Sequence, residues 1–329
     1  IGSIAELMVE IEKSIKAGFM TENPFAKHVV GDYSKENYDP SVIDLHRPYV
    51  DNIILCSPSG KPMKRELDLI DVWFDSGAMP YAQNHYPFEN QDAPRTADFI
   101  SEGVDQTRGW FFTLHAIHTM IEGSVAYKNV ISNGLVLDKN GNKMSKRLGN
   151  AVDPFGALDK YGADAVRWYM LTNSSPWENL KFDPEGVDEI RRKFFGTLYN
   201  TYGFFALYAN VDNWGGDEAM RRLGDEASLT EIDKWVLSKL NSLVKEVTAA
   251  YEAYEPTKAG RAISDFVQDD LSNWYVRLNR KRFWGGEMDA DKQAAYYTLY
   301  TCLKTVAQLM APNAPFYADR LYRDLTDET

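Results

Sequence analysis

The hydrophobic pattern of this chain changes near residue 185, and that change restricts the folds it can adopt. Before this point, short apolar runs at 53–55, 99–100 and 130–131 alternate with helix-like segments, which is typical of an α/β unit. After it, apolar residues recur at steps of three and four, which predicts amphipathic helices in an antiparallel bundle. We therefore expect an α/β domain over residues 1–184 and an all-α domain over residues 185–329.

Four apolar stripes predict the helices of the second half. The second stripe follows residues 228–231, whose Ser-Leu-Thr-Glu sequence is a capping-box pattern. The third begins at Pro256 and ends at Gly285-Gly286, and residues 213–225, rich in Gly and Asp, are interpreted as a loop. The stripes consist of Val187, Ile190, Phe194, Leu198, Tyr202 and Phe205; Ile232, Val236, Leu240, Leu243, Val244 and Val247; Ile263, Phe266, Val267, Leu271, Trp274 and Leu278; and Leu299, Cys302, Leu303, Val306, Leu309 and Met310.

Residues 130–150 combine a strand, a tight turn and a basic loop. The aliphatic residues at 130–131 and 135–137 predict a buried strand region, and Asn140-Gly141 predicts a hairpin turn with two positive φ angles. Residues 143–147, Lys-Met-Ser-Lys-Arg, follow on a loop that we call the signature loop. Its three cations are mobile donors suited to a polyphosphate whose charge moves onto a leaving group. A solvated basic turn is the alternative that this cluster alone leaves open.

A second polar segment lies between an apolar strand and a helix-like run. Residues 102–111 read Glu-Gly-Val-Asp-Gln-Thr-Arg-Gly-Trp-Phe, and we call them the acidic corner. Ligands of open parallel sheets bind outside the carboxyl ends of the strands, where helix N-termini supply donors. Glu102 is expected to hold an α-ammonium group or a ribose hydroxyl, and Gly103 to let the ligand approach the backbone. Asp105 and Gln106 are expected to bond ribose or the amino group, and a helix cap is the alternative for each of these residues.

These segments carry a resemblance to a known family. The signature loop, followed by Gly149-Asn150, resembles the KMSKS loop of class I aminoacyl-tRNA synthetases, with Arg147 in place of the final Ser. The acidic corner resembles the isoleucyl form of the active-site turn in that family, where valyl and leucyl relatives differ. Shorter similarities to isoleucyl-tRNA synthetases of the eukaryote-like type extend the resemblance along the chain, at residues 44–48, 71–77, 162–167 and 271–284.

The resemblance implies a fold and a reaction. The fold is the C-terminal half of a Rossmann-like catalytic domain, followed by a truncated α-helical anticodon-binding domain. The reaction condenses isoleucine with ATP to isoleucyl-AMP and then transfers the acyl group to tRNA(Ile). Lys146 is expected to be the principal phosphate contact, with Lys143 assisting and Arg147 also donating. Leu135 and Val136 are expected to offer backbone groups to adenine, and Mg²⁺ to arrive with the nucleotide.

The family's HIGH tetrapeptide is missing from this sequence. None of the five histidines stands in such a context. We therefore interpret the chain as a fragment that lies downstream of the family's inserted editing domain, and we expect it to be inactive alone. A tRNA-binding module without catalysis, or another class I ATP-dependent amino-acid ligase, remains an alternative.

Charge bears on the expected RNA partner. A net charge of −12 disfavours contact with a polyanion unless cations are clustered, as they are at 191–193 and 277–282. The second cluster is interleaved with aromatic residues, which suits tRNA, although a helix that buries its aromatics fits as well. Trp73, Phe74, Trp274 and Trp284 are individually interpreted as packing residues.

Composition and spacing argue against several other classes of protein. No apolar run approaches the ~20 residues that cross a bilayer, and no signal segment opens the chain, so we expect a cytoplasmic protein. We also expect it to be a monomer. Cys56 and Cys302 are too few for a disulfide framework and lack the spacing of a zinc site. His115 and His118 stand three positions apart without a further ligand beside them, so no metal held by protein ligands is expected.

Overall fold

The computed structural model describes residues 1–68, 71–215 and 228–326, and the side chain of Lys146 lies outside this description. Most of the loop predicted over 213–225 also lies outside it. The chain forms two compact units, Ile1–Gln91 and Asp92–Thr329. This division falls earlier than residue 184, where the sequence places the end of the α/β domain, and that domain boundary stays a prediction.

The first unit packs a helix against a short β-hairpin. The apolar spacing near the N-terminus produces helix α1 (Ile4–Lys16), whose first turn is capped by the Ser3 hydroxyl, which accepts the Glu6 amide at 3.1 Å. Strands β1 (Ile54–Cys56) and β2 (Pro62–Lys64) are antiparallel. Ile11, Phe25, Ile43 and Ile53 form the core of the unit. The remaining helices are a 3₁₀ turn (Tyr49–Asn52), α2 (Val72–Gly77) and α3 (Met79–Ala82).

The second unit begins with a β-α-β arrangement. Strands β3 (Ala97–Gly103) and β4 (Tyr127–Asn133) are parallel, as the connection through a helix requires. A 3₁₀ helix (Val104–Arg108) and helix α4 (Trp110–Glu122) join them. A small core packs α4 onto the sheet through Ile100, Phe111, Leu114 and Ala126.

A second parallel pair follows along the chain. Strand β5 (Val136–Leu137) pairs with β6 (Leu180–Lys181). Between these strands lie a 3₁₀ turn (Lys146–Leu148), helix α5 (Pro154–Tyr161) and helix α6 (Ala163–Thr172). The expectation of a buried strand region is wrong here, because Val130, Leu135 and Val136 are 45%, 44% and 41% exposed. Val130 and Val136 belong to two different two-stranded sheets, and Leu135 immediately precedes β5; the described chain leaves these residues partly uncovered.

The helical half confirms the four apolar stripes, since most of their members are buried in one continuous core. Two π-helical stretches, Arg191–Phe195 and Phe266–Val276, interrupt the α-helices, and no sequence pattern predicted them. The predicted start at Pro256 and the predicted stop at Gly285-Gly286 are confirmed, with both glycines at positive φ. The α-helices are α7 (Pro184–Ile190), α8 (Gly196–Val211), α9 (Glu231–Glu252), α10 (Pro256–Asp265), α11 (Arg277–Phe283), α12 (Ala290–Met310) and α13 (Pro315–Thr326).

Helix α6 is tied into the helical half by a fully buried tryptophan. Trp168 stacks on Phe194 with ring centroids 4.4 Å apart, and its indole N–H donates to Ser264 Oγ at 3.1 Å. Burial of a large aromatic with its polar group satisfied stabilises a contact strongly. The segment that follows the signature loop is therefore packed as part of the bundle core.

Two local expectations are corrected by the structure. The capping box at the start of α9 consists of Thr230 and Asp233, which lie two positions later than the predicted pattern. The Thr230 amide donates to Asp233 Oδ2 at 2.9 Å. The four large aromatics interpreted as packing residues are instead exposed to between 42% and 55%. They are Trp73, Phe74, Trp274 and Trp284.

Candidate active site

A tight hairpin presents the signature loop. The Asp138 amide donates to the Asn142 carbonyl and the Gly141 amide to the Asp138 carbonyl, both at 2.9 Å. Gly141 has φ +88°, in the left-handed region, whereas the φ of Asn140 is not positive. The expectation of two positive φ angles is therefore wrong. A loop in which a turn precedes one left-handed residue needs a single glycine. The hairpin therefore forms where it was predicted, with a different turn.

The signature loop is anchored by its apolar member and exposes the side chains of Lys143 and Arg147. Lys143 forms an antiparallel bridge with Leu137, and the side chains of Lys143 and Arg147 are exposed. Met144 is half-buried, packs against the large core and lines a cavity of about 320 Å³. The Ser145 hydroxyl accepts the Arg147 amide at 3.1 Å. The Lys146 backbone lies in the 3₁₀ turn, and its expected role as phosphate contact falls on a side chain outside the described part of the structure.

Asp138 and Asn150 close the signature loop, and sequence reasoning missed both. Asn150 Nδ2 donates to Asp138 Oδ2 at 2.9 Å and to the Lys143 carbonyl at 3.2 Å. Asn150 Oδ1 accepts the Ser145 amide at 2.9 Å. The pKa of Asp138 is below its ordinary value, chiefly because the Asn150 amide donates to it. The available signal was an Asp before the turn and an Asn after the loop.

The acidic corner is partly occupied by its own hydrogen bonds. Glu102 and Asp105 are exposed and so remain accessible. Gln106 Oε1 accepts the amide of Trp110, the first residue of α4, at 2.9 Å, and its Nε2 donates to Asp105 Oδ2 at 3.1 Å, so its contact with ribose or the amino group stays a prediction. At Gly103 an added Cβ would stand 2.6 Å from Asp105 Oδ1. The glycine thus serves a close approach within the chain, besides its predicted role toward a ligand.

The segment expected to contact adenine is committed in part to the sheet. The Leu135 amide donates to Asn179 Oδ1 at 2.8 Å, and its carbonyl accepts the Leu180 amide at 2.9 Å. Gly134, which sequence reasoning missed, lies so close to the next segment that an added Cβ would stand 2.3 Å from the Glu178 carbonyl oxygen. The contact of Leu135 and Val136 with adenine stays a prediction.

Sheet register places the acidic corner beside the start of the segment that leads to the signature loop. Glu102 pairs with Ser132 and Gly103 with Asn133, at the carboxyl ends of two parallel strands. Within the described residues, the buried hydroxyl of Ser132 has no hydrogen-bond partner. Loops at this edge of a parallel sheet are where ligands bind in α/β proteins. The fold therefore presents carboxylates and polar backbone groups at the sheet edge where ligand binding was expected.

His118, one of the two histidines of α4, is enclosed by the fold and lies beside two hydroxyl groups. His118 is buried, its Nε2 lies 3.3 Å from Thr96 Oγ1 and 3.2 Å from Ser124 Oγ, and burial lowers its pKa. Among the residues whose placement is described, no group of three or more His, Cys, Asp or Glu is arranged to hold a metal ion. No described helix is both long and apolar enough to cross a bilayer.

The basic clusters differ in how their cations are used. Arg282 points inward to Asp233, whereas Arg277 and Lys281 are exposed. Trp274 and Trp284 are also exposed, at 55% and 51%, so this surface combines cations with aromatic rings. The cations of the 191–193 cluster are paired instead, in that Arg191 and Arg192 contact Asp188, and Lys193 contacts Glu189.

Known proteins resemble the chain in both halves. Residues 22–183 match the family model of tRNA synthetases class I (I, L, M and V), and residues 233–329 match that of the anticodon-binding domain of tRNA ligase. The chain is 68% identical to an isoleucine–tRNA ligase of Bacteroides fragilis, over 100% of this chain and 29% of the relative. It is 48% identical to the Thermus thermophilus isoleucine–tRNA ligase over 87% of this chain and 27% of the relative. The chain thus spans less than a third of these relatives.

Solved structures support the fold. A leucyl-tRNA synthetase of Agrobacterium radiobacter, in a ternary complex with tRNA and LeuAMS, aligns with TM-score 0.64 and 21% identity over 84% of this chain and 34% of that one. A Mycobacterium tuberculosis methionyl-tRNA synthetase with methionyl-adenylate aligns with TM-score 0.62 and 22% identity over 76% of this chain and 49% of that one. Together with the family models and the isoleucine relatives, these likenesses establish that the chain belongs to the class I aminoacyl-tRNA synthetases.

Proposed function

We propose that this chain is the signature-loop segment of an isoleucine–tRNA ligase, which activates isoleucine with ATP and transfers it to tRNA(Ile). The observation that carries the proposal is the sheet edge where the exposed acidic corner lies beside the segment leading to an exposed cationic loop. The choice of isoleucine is supported by the names of relatives that are 66–68% identical along the chain.

In the proposed reaction the amino-acid carboxylate attacks the α-phosphorus of ATP, and pyrophosphate leaves. No protein nucleophile is needed, so the chain contributes position and charge. Lys146 and Lys143 neutralise the departing pyrophosphate, and the Arg147 guanidinium adds donors in a fork geometry. Glu102 and Asp105 hold the ammonium group of isoleucine or the ribose hydroxyls. Mg²⁺ accompanies the nucleotide and supplies further charge neutralisation.

The segment alone is proposed to be inactive. Parallel sheets are normally covered on both faces, yet Val130 in β4 is 45% exposed and Val136 in β5 is 41% exposed. Exposed apolar residues of this kind are expected where another part of a longer protein covers the sheet. In addition, the HIGH half of an ATP site is not found in this sequence. The lysines of the signature loop therefore form one wall of the proposed site.

The helical half is proposed to contact tRNA(Ile) through a basic-aromatic surface. We define this surface as Trp274, Arg277, Lys281 and Trp284, all of which are exposed. Stacking of bases on aromatic rings and pairing of phosphates with cations are both available there. Arg282 is left out because it is committed to Asp233. The proposed setting is a cytoplasmic monomer.

Amino-acid-dependent exchange of pyrophosphate into ATP tests the function. A full-length protein that contains this segment should catalyse exchange with isoleucine well above the other nineteen standard amino acids. The segment alone should give no exchange above background. Exchange with a different amino acid would replace isoleucine in the proposal, and turnover by the isolated segment would refute its incompleteness.

A further inference from the structure

A single side chain joins the two ends of the signature loop. Asn150 holds the carbonyl of Lys143 and the amide of Ser145, which flank Met144, and it donates at the same time to Asp138. The end of the loop is thereby fastened to its beginning. Asp138 and Asn150 are half-buried, and the bonds of Asn150 to Asp138 and to the Ser145 amide are partly shielded from water.

Asp138 is itself held by the hairpin. Its Oδ1 accepts the amides of Asn140 at 2.9 Å and Asn142 at 2.8 Å. Its Oδ2 accepts Asn150 Nδ2 at 2.9 Å and, at the longer distance of 3.4 Å, Asn142 Nδ2. An ionised carboxylate accepts and cannot donate, so it orients the Asn150 amide with Nδ2 toward Asp138 and Oδ1 toward Ser145. The hairpin, the carboxylate and the amide form one connected hydrogen-bond network, which we call the loop clamp.

We propose that the loop clamp, Asp138 with Asn150, positions the signature loop for adenylate formation. The clamp holds the backbone on both sides of Met144, and so limits the positions that the charges of Lys143, Lys146 and Arg147 can take when the polyphosphate binds. Charges that are already in place stabilise a transition state most effectively, and a displacement near 1 Å costs about 100-fold in rate. This inference rests on the proposed function, and both clamp members act through the loop as positioning residues.

The two steps of the proposed reaction separate this role from a general effect on folding. Pyrophosphate leaves in the first step, whereas transfer from preformed isoleucyl-AMP to tRNA involves no pyrophosphate. Loss of the clamp should therefore lower kcat for activation more than it raises KM for ATP, and it should spare the transfer step. A merely structural defect would lower both steps together.

The test uses a full-length protein that contains this segment. Asn150→Ala should lower isoleucine-dependent pyrophosphate exchange about 10- to 100-fold, with the melting temperature and single-turnover transfer from preformed adenylate unchanged. Asn150→Asp should be as severe, because it sets a second carboxylate beside Asp138. The double variant Asp138→Asn with Asn150→Asp returns an amide-to-carboxylate bond and should recover part of the loss. Asn200→Ala is the matched control, since Asn200 is exposed on α8 and lies outside the hairpin and the loop clamp.

Three results would overturn the inference. The first is an unchanged rate of pyrophosphate exchange in Asn150→Ala. The second is that Asn150→Ala slows exchange and transfer equally and lowers the melting temperature, and the third is that the double variant exchanges no faster than Asn150→Asp alone. If the unaltered protein gives no isoleucine-dependent exchange, the proposed function fails and this inference fails with it. Normal exchange in the unaltered protein and in Asn150→Ala would remove the clamp role alone.

Discussion

Arg282 donates to both carboxylate oxygens of Asp233, at 2.8 Å and 2.9 Å, in a bidentate pair that is almost fully enclosed. Asp233 has 0% of its side chain exposed, and Arg282 has 13%. The Tyr275 hydroxyl donates to the same carboxylate at 2.7 Å. The Thr230 amide and hydroxyl donate to it as well, so three partners satisfy the buried charge. The network joins the first turn of α9 to the end of α11.

Replacing the arginine should destabilise the helical half. Arg282→Met removes the cation and leaves a buried carboxylate without its partner, a change that costs about 3–5 kcal/mol. Chemical denaturation of the full-length protein, followed by a signal from the helical half, measures the decrease in the free energy of unfolding. Arg280→Met is the matched control, because Arg280 is exposed on the same helix and should change stability little. Equal stability of the two variants would show that the pair contributes nothing.

Acid should weaken the same network. Burial raises the pKa of Asp233, but hydrogen bonds from Arg282, Thr230 and Tyr275 outweigh it and leave the pKa below its ordinary value. A depressed carboxylate contributes stability above its unfolded pKa of about 4, and that contribution is lost as pH falls through the folded value. Melting temperatures of wild type and Asp233→Asn should therefore converge as the solution is acidified. Parallel curves would contradict this.

Lys146 should matter most for activation. In the full-length protein, Lys146→Ala removes one preorganised charge and should lower isoleucine-dependent pyrophosphate exchange by a factor on the order of 100. Arg147→Ser, which gives the KMSKS form of the loop, should retain most of the exchange. An unaltered rate in Lys146→Ala would take this lysine out of the phosphate role.

Gly134 should tolerate no side chain. Gly134→Ala would place Cβ 2.3 Å from the Glu178 carbonyl oxygen, so β5 must shift, at a cost of about 1–3 kcal/mol. Because β5 leads directly to the signature loop, exchange should fall as well. Gly203→Ala is the control, since nothing lies within 4 Å of its Cβ and alanine favours the helix there. Thermal unfolding and pyrophosphate exchange are measured for both variants. Unchanged stability and unchanged exchange in Gly134→Ala would contradict the close packing.

The basic-aromatic surface should govern binding of tRNA. Lys281→Ala should weaken binding and reduce the slope of log affinity against log salt by about 1, as expected for one lost phosphate contact. Trp274→Ala should weaken binding without changing that slope, because it removes stacking. Lys245→Ala, an exposed lysine of α9, serves as the charge control. Gel shifts across a salt series measure all three, and identical slopes for the two lysine variants would argue against the surface.

Features that depend on neighbouring residues follow from the amino-acid sequence alone. The apolar stripes fixed the helices of the second half, and an Asn-Gly dipeptide fixed the position of the hairpin before the signature loop. The resemblance carried by residues 102–111 and 143–147 indicated the family that the comparisons establish. Such signals are readable because periodicity and turn chemistry act over a few residues.

Which polar groups remain available depends on contacts that form when the chain folds. Gln106 accepts an amide of α4, Arg282 turns inward to a carboxylate 49 positions away, and Asn150 reaches back 12 positions to Asp138. Exposure of Val130 likewise depends on what covers the sheet rather than on its own hydrophobicity. A side chain's partners are chosen by the folded chain, and residues far apart in sequence carry no local signal of their meeting.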